Sequence, residues 1–157
     1  MAKDPMQQLP IKLRAGRKTD VRAQFAALCW RLRDGNVEIC LVTTRNSGRW
    51  ILPKGWPIHK QTPADSAAIE AYEEAGIRGD AIDRCLGAYS YVKPLKSGEA
   101  PIIVMVYPVR VRKELRKWPE RGQRKRKWFS PKKAAKKLQE PALQQIVASF
   151  KPQTILH

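Results

Sequence analysis

Acidic residues are scarce in this chain of 157 residues: 14 Asp and Glu stand against 31 Lys and Arg, giving a formal net charge of +17 at pH 7. Such an imbalance concentrates polyanions around a protein. Cysteine is scarcer still, with Cys29, Cys40 and Cys85 an odd number and none at Cys-x-x-Cys spacing. That argues against a disulfide scaffold or a zinc site and predicts reduced thiols buried in apolar stretches. Long hydrophobic runs are missing. The longest, residues 25–30 and 101–109, fall far short of the roughly 20 apolar residues of a membrane helix, so no bilayer-spanning segment is expected. The first 20 residues mix charges and prolines without an apolar core, unlike a signal peptide, and with the reduced cysteines this predicts a cytoplasmic protein. Repeats and low-complexity tracts are absent from a composition that is 43% hydrophobic and 29% charged, the proportions of a globular chain.

What is present fits one domain, expected over residues 21–150, with a basic tail at 1–20 and a short one at 151–157. Residues 24–32 and 37–44 are β-rich runs separated by Arg33-Asp34-Gly35-Asn36, a hairpin signal. A short strand at 49–52 is stopped by Pro53-Lys54-Gly55, where proline ends ladder pairing and glycine permits a close backbone approach. Thr62-Pro63 reads as an N-cap and first helical residue, and Gly76 as the stop, so a helix is predicted from Pro63 to Ala75. Ala64, Ala68, Ala71 and Ala75 form a small-residue stripe along it, suited to close packing on a sheet. Further strands are expected at 83–93, 102–112 and 127–129, and helices at 131–139 and 141–150. Strands, helix, strands and helices in that order predict an α/β sandwich with a mixed β-sheet.

The positive charge is concentrated. Between residues 110 and 137 there are fourteen basic residues and only two acidic ones, Glu114 and Glu120. A charge run by itself names a class of partner, a polyanion, and equally describes a solvated face.

The predicted helix carries the chemistry. Glu70, Glu73 and Glu74 fall at i, i+3 and i+4 and so share one side of it, with no basic residue anywhere between positions 61 and 77. Clustered carboxylates repel unless a cation joins them, and their hard oxygens suit Mg²⁺ or Mn²⁺. The surrounding sequence, GWPIHKQTPADSAAIEAYEEAGI from Gly55 to Ile77, resembles the Nudix box, G-x5-E-x7-R-E-U-x-E-E-x-G-U with U aliphatic. Gly55, Glu70, Glu73, Glu74, Gly76 and Ile77 match, and Ala71 is an acceptable small residue at the first U. Gln61 stands where the family has glutamate, and Ile69 where it has arginine. Stretches outside the box, among them Arg49-Trp50-Ile51-Leu52-Pro53-Lys54-Gly55 and Arg124-Lys125-Arg126-Lys127-Trp128-Phe129, resemble the diphosphoinositol polyphosphate phosphohydrolase branch of the Nudix superfamily.

The resemblance implies a Nudix-fold α/β/α sandwich and a metal-dependent pyrophosphohydrolase. It implies Glu70 and Glu74, with the Gly55 carbonyl, as ligands of Mg²⁺ (or Mn²⁺), and Glu73 as the general base acting on the attacking water. Arg22, Arg45, Arg49, Arg124 and Arg126 sit where that branch binds the non-reacting phosphates of its substrate, and Lys54, beside the loop, is placed to neutralise charge on the leaving group. The substrate it points to is a polyanionic small molecule, a diphosphoinositol polyphosphate or a dinucleoside polyphosphate. Two alternatives stay open: the 5′-triphosphate end of RNA, with the basic third tracking the backbone, and a Nudix-fold binding module without turnover, motivated by Gln61 and Ile69. Neither a membrane partner nor any particular oligomeric state follows from the sequence.

Overall fold

The computed structural model describes residues 22–95 and 98–155. In chain order its elements are β1 (Arg22–Arg33), β2 (Asn36–Thr43), β3 (Trp50–Ile51), β4 (Lys54–Gly55), α1 (Pro63–Ala75), β5 (Ile77–Ala81), β6 (Gly87–Leu95), β7 (Gly98–Glu114), β8 (Arg126–Phe129), α2 (Pro131–Lys137) and α3 (Pro141–Ala148). A 3-10 turn follows at Pro152–Thr154.

The strands form one eight-stranded sheet whose main path runs β3-β2-β1-β7-β5, with β4 on β1, β6 on β7 and β8 on β2. It is mixed: β1 and β7 run parallel, from Arg22 opposite Ile102 to Trp30 opposite Arg110, and the other pairs are antiparallel. The centre is β1, buried without a break from Ala23 to Trp30 because helices cover both faces of the sheet. Strand alternation divides its side chains. Phe25, Ala27 and Cys29 join Ala64, Ala67, Ala71 and Ala75 of α1 in one core layer. Ala26, Leu28 and Trp30 join Ala134, Leu138, Leu143 and Val147 of the α2–α3 side in the other. This is the α/β/α sandwich expected from the sequence.

Helix α1 has the predicted bounds, and both ends follow from local chemistry. The Thr62 hydroxyl accepts the Asp65 N–H at 3.1 Å, and Gly76 stops the helix at φ 65°. The stripe is shifted slightly, with Ala67 fully buried and Ala68 only half. The Asp34-Gly35 turn closes the β1–β2 hairpin as predicted, with Arg33 opposite Asn36.

Several expectations are corrected. Two strands went unforeseen: β4, only two residues long, and β5, which starts directly after Gly76. Strand β6 begins at Gly87 rather than 83, and β7 extends beyond its predicted span at both ends. Residues 151–157 are not wholly a tail, since Pro152 and Ile155 are buried and Ile155 belongs to the α2–α3 core. Cys29 and Cys40 are buried, but Cys85 is exposed. The tail predicted over 1–20 lies outside the described residues. Among the described residues no helix is long and apolar enough to cross a membrane.

Candidate active site

The site begins where the chain leaves β3. The Pro53 carbonyl accepts the Ala27 N–H at 2.9 Å, and β4 then pairs with β1, Phe25 opposite Gly55 and Ala26 opposite Lys54. Gly55 is thereby fixed to the central strand. Helix α1 crosses so close above it that a Cβ at position 55 would overlap the Glu70 carboxyl group. One turn on, Oε1 of Glu74 accepts the Lys54 N–H at 3.3 Å. Glu74 is only 6% exposed, and its carboxyl group lies beside that of Glu70. The two glutamates therefore share one side of α1, as the i, i+4 spacing predicts, and that side faces the Lys54–Gly55 backbone.

Electrostatics reflect that crowding. Burial, then repulsion from Glu74 and Glu73, pushes the Glu70 carboxyl up to about 8. Burial also raises Glu74, against the pull of the Arg124 guanidinium and the Lys54 N–H. The Lys54 ammonium is pushed down, chiefly by its own burial.

A cavity of about 470 Å³ opens over this pair. Of the residues predicted from the sequence, it brings together Gly55, Glu70, Glu74, Lys54, Arg45 and Arg124. Glu73, Arg22, Arg49 and Arg126 are not among its lining residues. Glu73 is half-buried on the neighbouring side of α1, and Arg22 is half-buried at the start of β1. Arg49 donates to the Gln139 side chain at 3.1 Å. Sequence reasoning missed Glu120, Trp56, Tyr91 and Lys93, which complete the walls. Strand alternation on β6 offered a signal for Tyr91 and Lys93. Glu120 offered another, as one of two acids in the basic segment. Within the cavity the Lys54 ammonium lies 5.1 Å from the Tyr91 ring, and that of Lys93 lies 5.2 Å from Trp56. Tyr91 donates its hydroxyl proton to Gln24 at 2.7 Å.

Much of the basic segment does something other than face the cavity. The last carbonyls of α1 each receive a donor from residues 115–126. Glu73 is bonded by the Glu120 N–H (3.1 Å), Glu74 by the Trp118 indole (3.1 Å), Ala75 by the Arg126 guanidinium (2.8 Å) and Gly76 by the Leu115 N–H (2.8 Å). Helix C-termini leave such carbonyls unpaired and carry partial negative charge. With no base in its own last turn, α1 has these supplied from elsewhere in the chain. Arg126 also lies 4.1 Å from the Trp118 ring and pairs with Glu114 at 3.2 Å. Trp128 is half-buried against the α1-side core and lies under the Arg31 guanidinium, 3.8 Å from its ring centre.

The donor set fits a hard divalent cation. Two carboxylates held beside each other, with one pushed up to about 8 by burial and repulsion, are relieved by positive charge. Among the described residues no three His, Cys, Asp or Glu side chains are gathered as a closed cage. Mg²⁺ does not need one, since it is usually held by one or two carboxylates and fills its shell with water and substrate phosphate.

The family model for the NUDIX domain matches residues 22–150. The chain belongs to the Nudix family. This Nudix chain is 30% identical over 119 residues to Nudix hydrolase 16, mitochondrial, of Arabidopsis thaliana, covering 69% of its own length and 66% of the plant protein, just under two thirds. It is 31% identical over 120 residues to human diphosphoinositol polyphosphate phosphohydrolase 3-beta, covering 75% of itself and 70% of that protein. Among solved structures, the MutT protein from Methanosarcina mazei Go1 superposes with a TM-score of 0.62 at 21% identity, over 88% of this chain and 98% of that one. That likeness shows the shared Nudix fold.

Proposed function

We propose that this protein is a divalent-metal-dependent hydrolase of phosphoanhydride bonds in small, phosphate-rich molecules, with diphosphoinositol polyphosphates and dinucleoside polyphosphates as its substrate classes. One observation carries the reading: Glu70 and Glu74 converge on the Lys54–Gly55 backbone in a cavity that also presents Arg45, Lys54 and Lys93. Carboxylates for a cation and cations for phosphates meet in one place. The similarity to a diphosphoinositol polyphosphate phosphohydrolase supports the same class.

Glu70, Glu74 and the Gly55 carbonyl would hold the ion, Mg²⁺ or Mn²⁺. When bound, it supplies positive charge to the phosphate oxygens and lowers the pKa of the attacking water. The chain's own residues do the rest. Arg45, exposed at the cavity mouth, and Lys93, half-buried beside Trp56, are placed to hold phosphates that do not react. Lys54, half-buried in the cavity wall, meets negative charge on the leaving group with less competition from solvent than a surface lysine would. Glu73 takes the proton of the attacking water; from its half-buried position beside the cavity this requires its side chain to turn inward.

The test is ion-exchange product analysis with Mg²⁺ on diphosphoinositol pentakisphosphate, diadenosine hexaphosphate, ADP-ribose, a nucleoside triphosphate and 5′-triphosphorylated RNA. Preferential cleavage of the first two is expected, and Glu73→Gln should lower it by at least ~10²-fold while ligand binding persists. Cleavage of RNA alone would replace the substrate class. Binding without cleavage under any divalent ion would make the protein a ligand-binding module.

A further inference from the structure

Glu74 is a buried carboxylate whose two oxygens answer to different partners. Oε1 accepts the Lys54 N–H, and Oε2 faces Nη2 of Arg124 at 3.6 Å. Arg124 is anchored as firmly as the carboxylate it faces. Its side chain is 8% exposed, its Nε donates to Glu120 at 2.6 Å, and its Nη1 donates to the Thr43 carbonyl at 3.0 Å. The loop carrying it is tied down next door, where the Lys125 N–H reaches the Thr43 hydroxyl at 2.9 Å and the Thr43 N–H reaches the Lys125 carbonyl at 3.1 Å.

A guanidinium committed in three directions is a rigid fork rather than a mobile cation. Turning the guanidinium out toward solvent would break two hydrogen bonds, both charge-assisted because the donor is ionised. The carboxylates have no such partner on their own helix: α1 contains no basic residue, and the position before Glu70 is Ile69, which offers them no donor.

We propose that Arg124 is a positioning residue, reaching from the segment after β7 to hold the Glu74 carboxylate toward the Lys54–Gly55 turn. It does for this helix, from 50 residues away in the sequence, what a base on the helix itself would do. The proposal rests on the reading of Glu70 and Glu74 as the ion-holding pair. The basic segment is thereby divided by role, with Arg124 and Arg126 organising α1 while Arg45 and Lys93, from other elements, are left to face the ligand.

The decisive variant is Arg124→Lys. It keeps the charge, so repulsion of an incoming cation is unchanged and only the fork is lost. Titration calorimetry with Mn²⁺ alone should show the dissociation constant rising ~10-fold or more, as when a ligand loses its orienting partner. On a cleaved polyphosphate, kcat should fall comparably, with KM within about twofold. Parental Mn²⁺ affinity would overturn the proposal. So would a raised KM at unchanged kcat, which would make Arg124 a phosphate contact. Should Arg124→Lys fail to fold, Glu120→Asp keeps the charge and shortens one anchor of the fork; weakened Mn²⁺ binding is expected, and parental binding overturns the proposal. A parent that cleaves nothing on the panel sinks the proposed activity while leaving the Mn²⁺ titration to decide on Arg124. A parent that binds no Mn²⁺ sinks both.

Discussion

Gly55 shows how one missing side chain serves a site. Its backbone is not in the left-handed region, so the fold itself does not demand glycine there. What demands it is Glu70, whose carboxyl group occupies the space a Cβ would take. The obstructed atoms are the far end of a flexible side chain, which can swing aside at little cost to folding but not without leaving the ion site proposed for Glu70 and Glu74. Gly55→Ala should therefore unfold within about 3 °C of the parent, a change on the order of 1 kcal/mol for a chain of this size. Its affinity for Mg²⁺, read as thermal stabilisation by added ion, should be at least ~10-fold weaker. An equal response of both proteins to Mg²⁺ would separate Gly55 from the ion site. Arg124 and Arg126 carry the complementary lesson. Their identity says cation, but their burial against Glu74, Glu120 and the α1 carbonyls says scaffold.

At the scale of the element, α1 is a helix whose two ends are built differently. The N-terminus is self-sufficient: Thr62 caps it and Pro63 occupies a position that has no N–H to lose. Its C-terminus depends on residues 115–126, which supply backbone, indole and guanidinium donors to four successive carbonyls. Gly76 is where the two meet, at φ 65° with the Trp118 ring filling the space beside it. Gly76→Ala combines the roughly 1–2 kcal/mol penalty of a left-handed L-residue with displacement of Trp118. Its urea midpoint should fall by the equivalent of at least about 1 kcal/mol, with Mg²⁺ affinity falling alongside as the α1 clamp loosens. An unchanged midpoint would mean that residues 115–126 adjust to α1 rather than hold it.

Across the whole molecule, the two-layer covering of the sheet decides which reactive groups meet solvent. All three cysteines have apolar neighbours in the sequence, yet only Cys29 and Cys40 lie between the sheet and α1, where burial pushes Cys40 up to about 12. Cys85 lies in the loop before β6, exposed, with its thiol 3.3 Å from the Gly87 carbonyl. A disulfide thiol reagent at mildly alkaline pH should label Cys85 alone in the native chain and all three cysteines after denaturation. Fast labelling of Cys29 or Cys40 in the native state would contradict the packing of α1 on β1.

The sequence by itself determined what is specified within a few residues. The bounds of α1 follow from a cap, a proline, a run of small residues and a glycine stop. The β1–β2 hairpin follows from Asp34-Gly35, and the pairing of Glu70 with Glu74 from helical periodicity. Each is local, so each was legible. Tertiary structure decided the rest, because its causes lie far apart in the chain. Two-residue β4 exists only because β1 offers it a partner, and β5 is a strand because β7 runs long enough to pair with it. Ile155 is core only because α2 and α3 leave room for it. That Arg124 and Arg126 meet α1 depends on a segment that returns to the helix some 40 to 50 residues later. Charge can be counted along a sequence, but whether a charge faces a ligand or a helix end is a property of what folds against it.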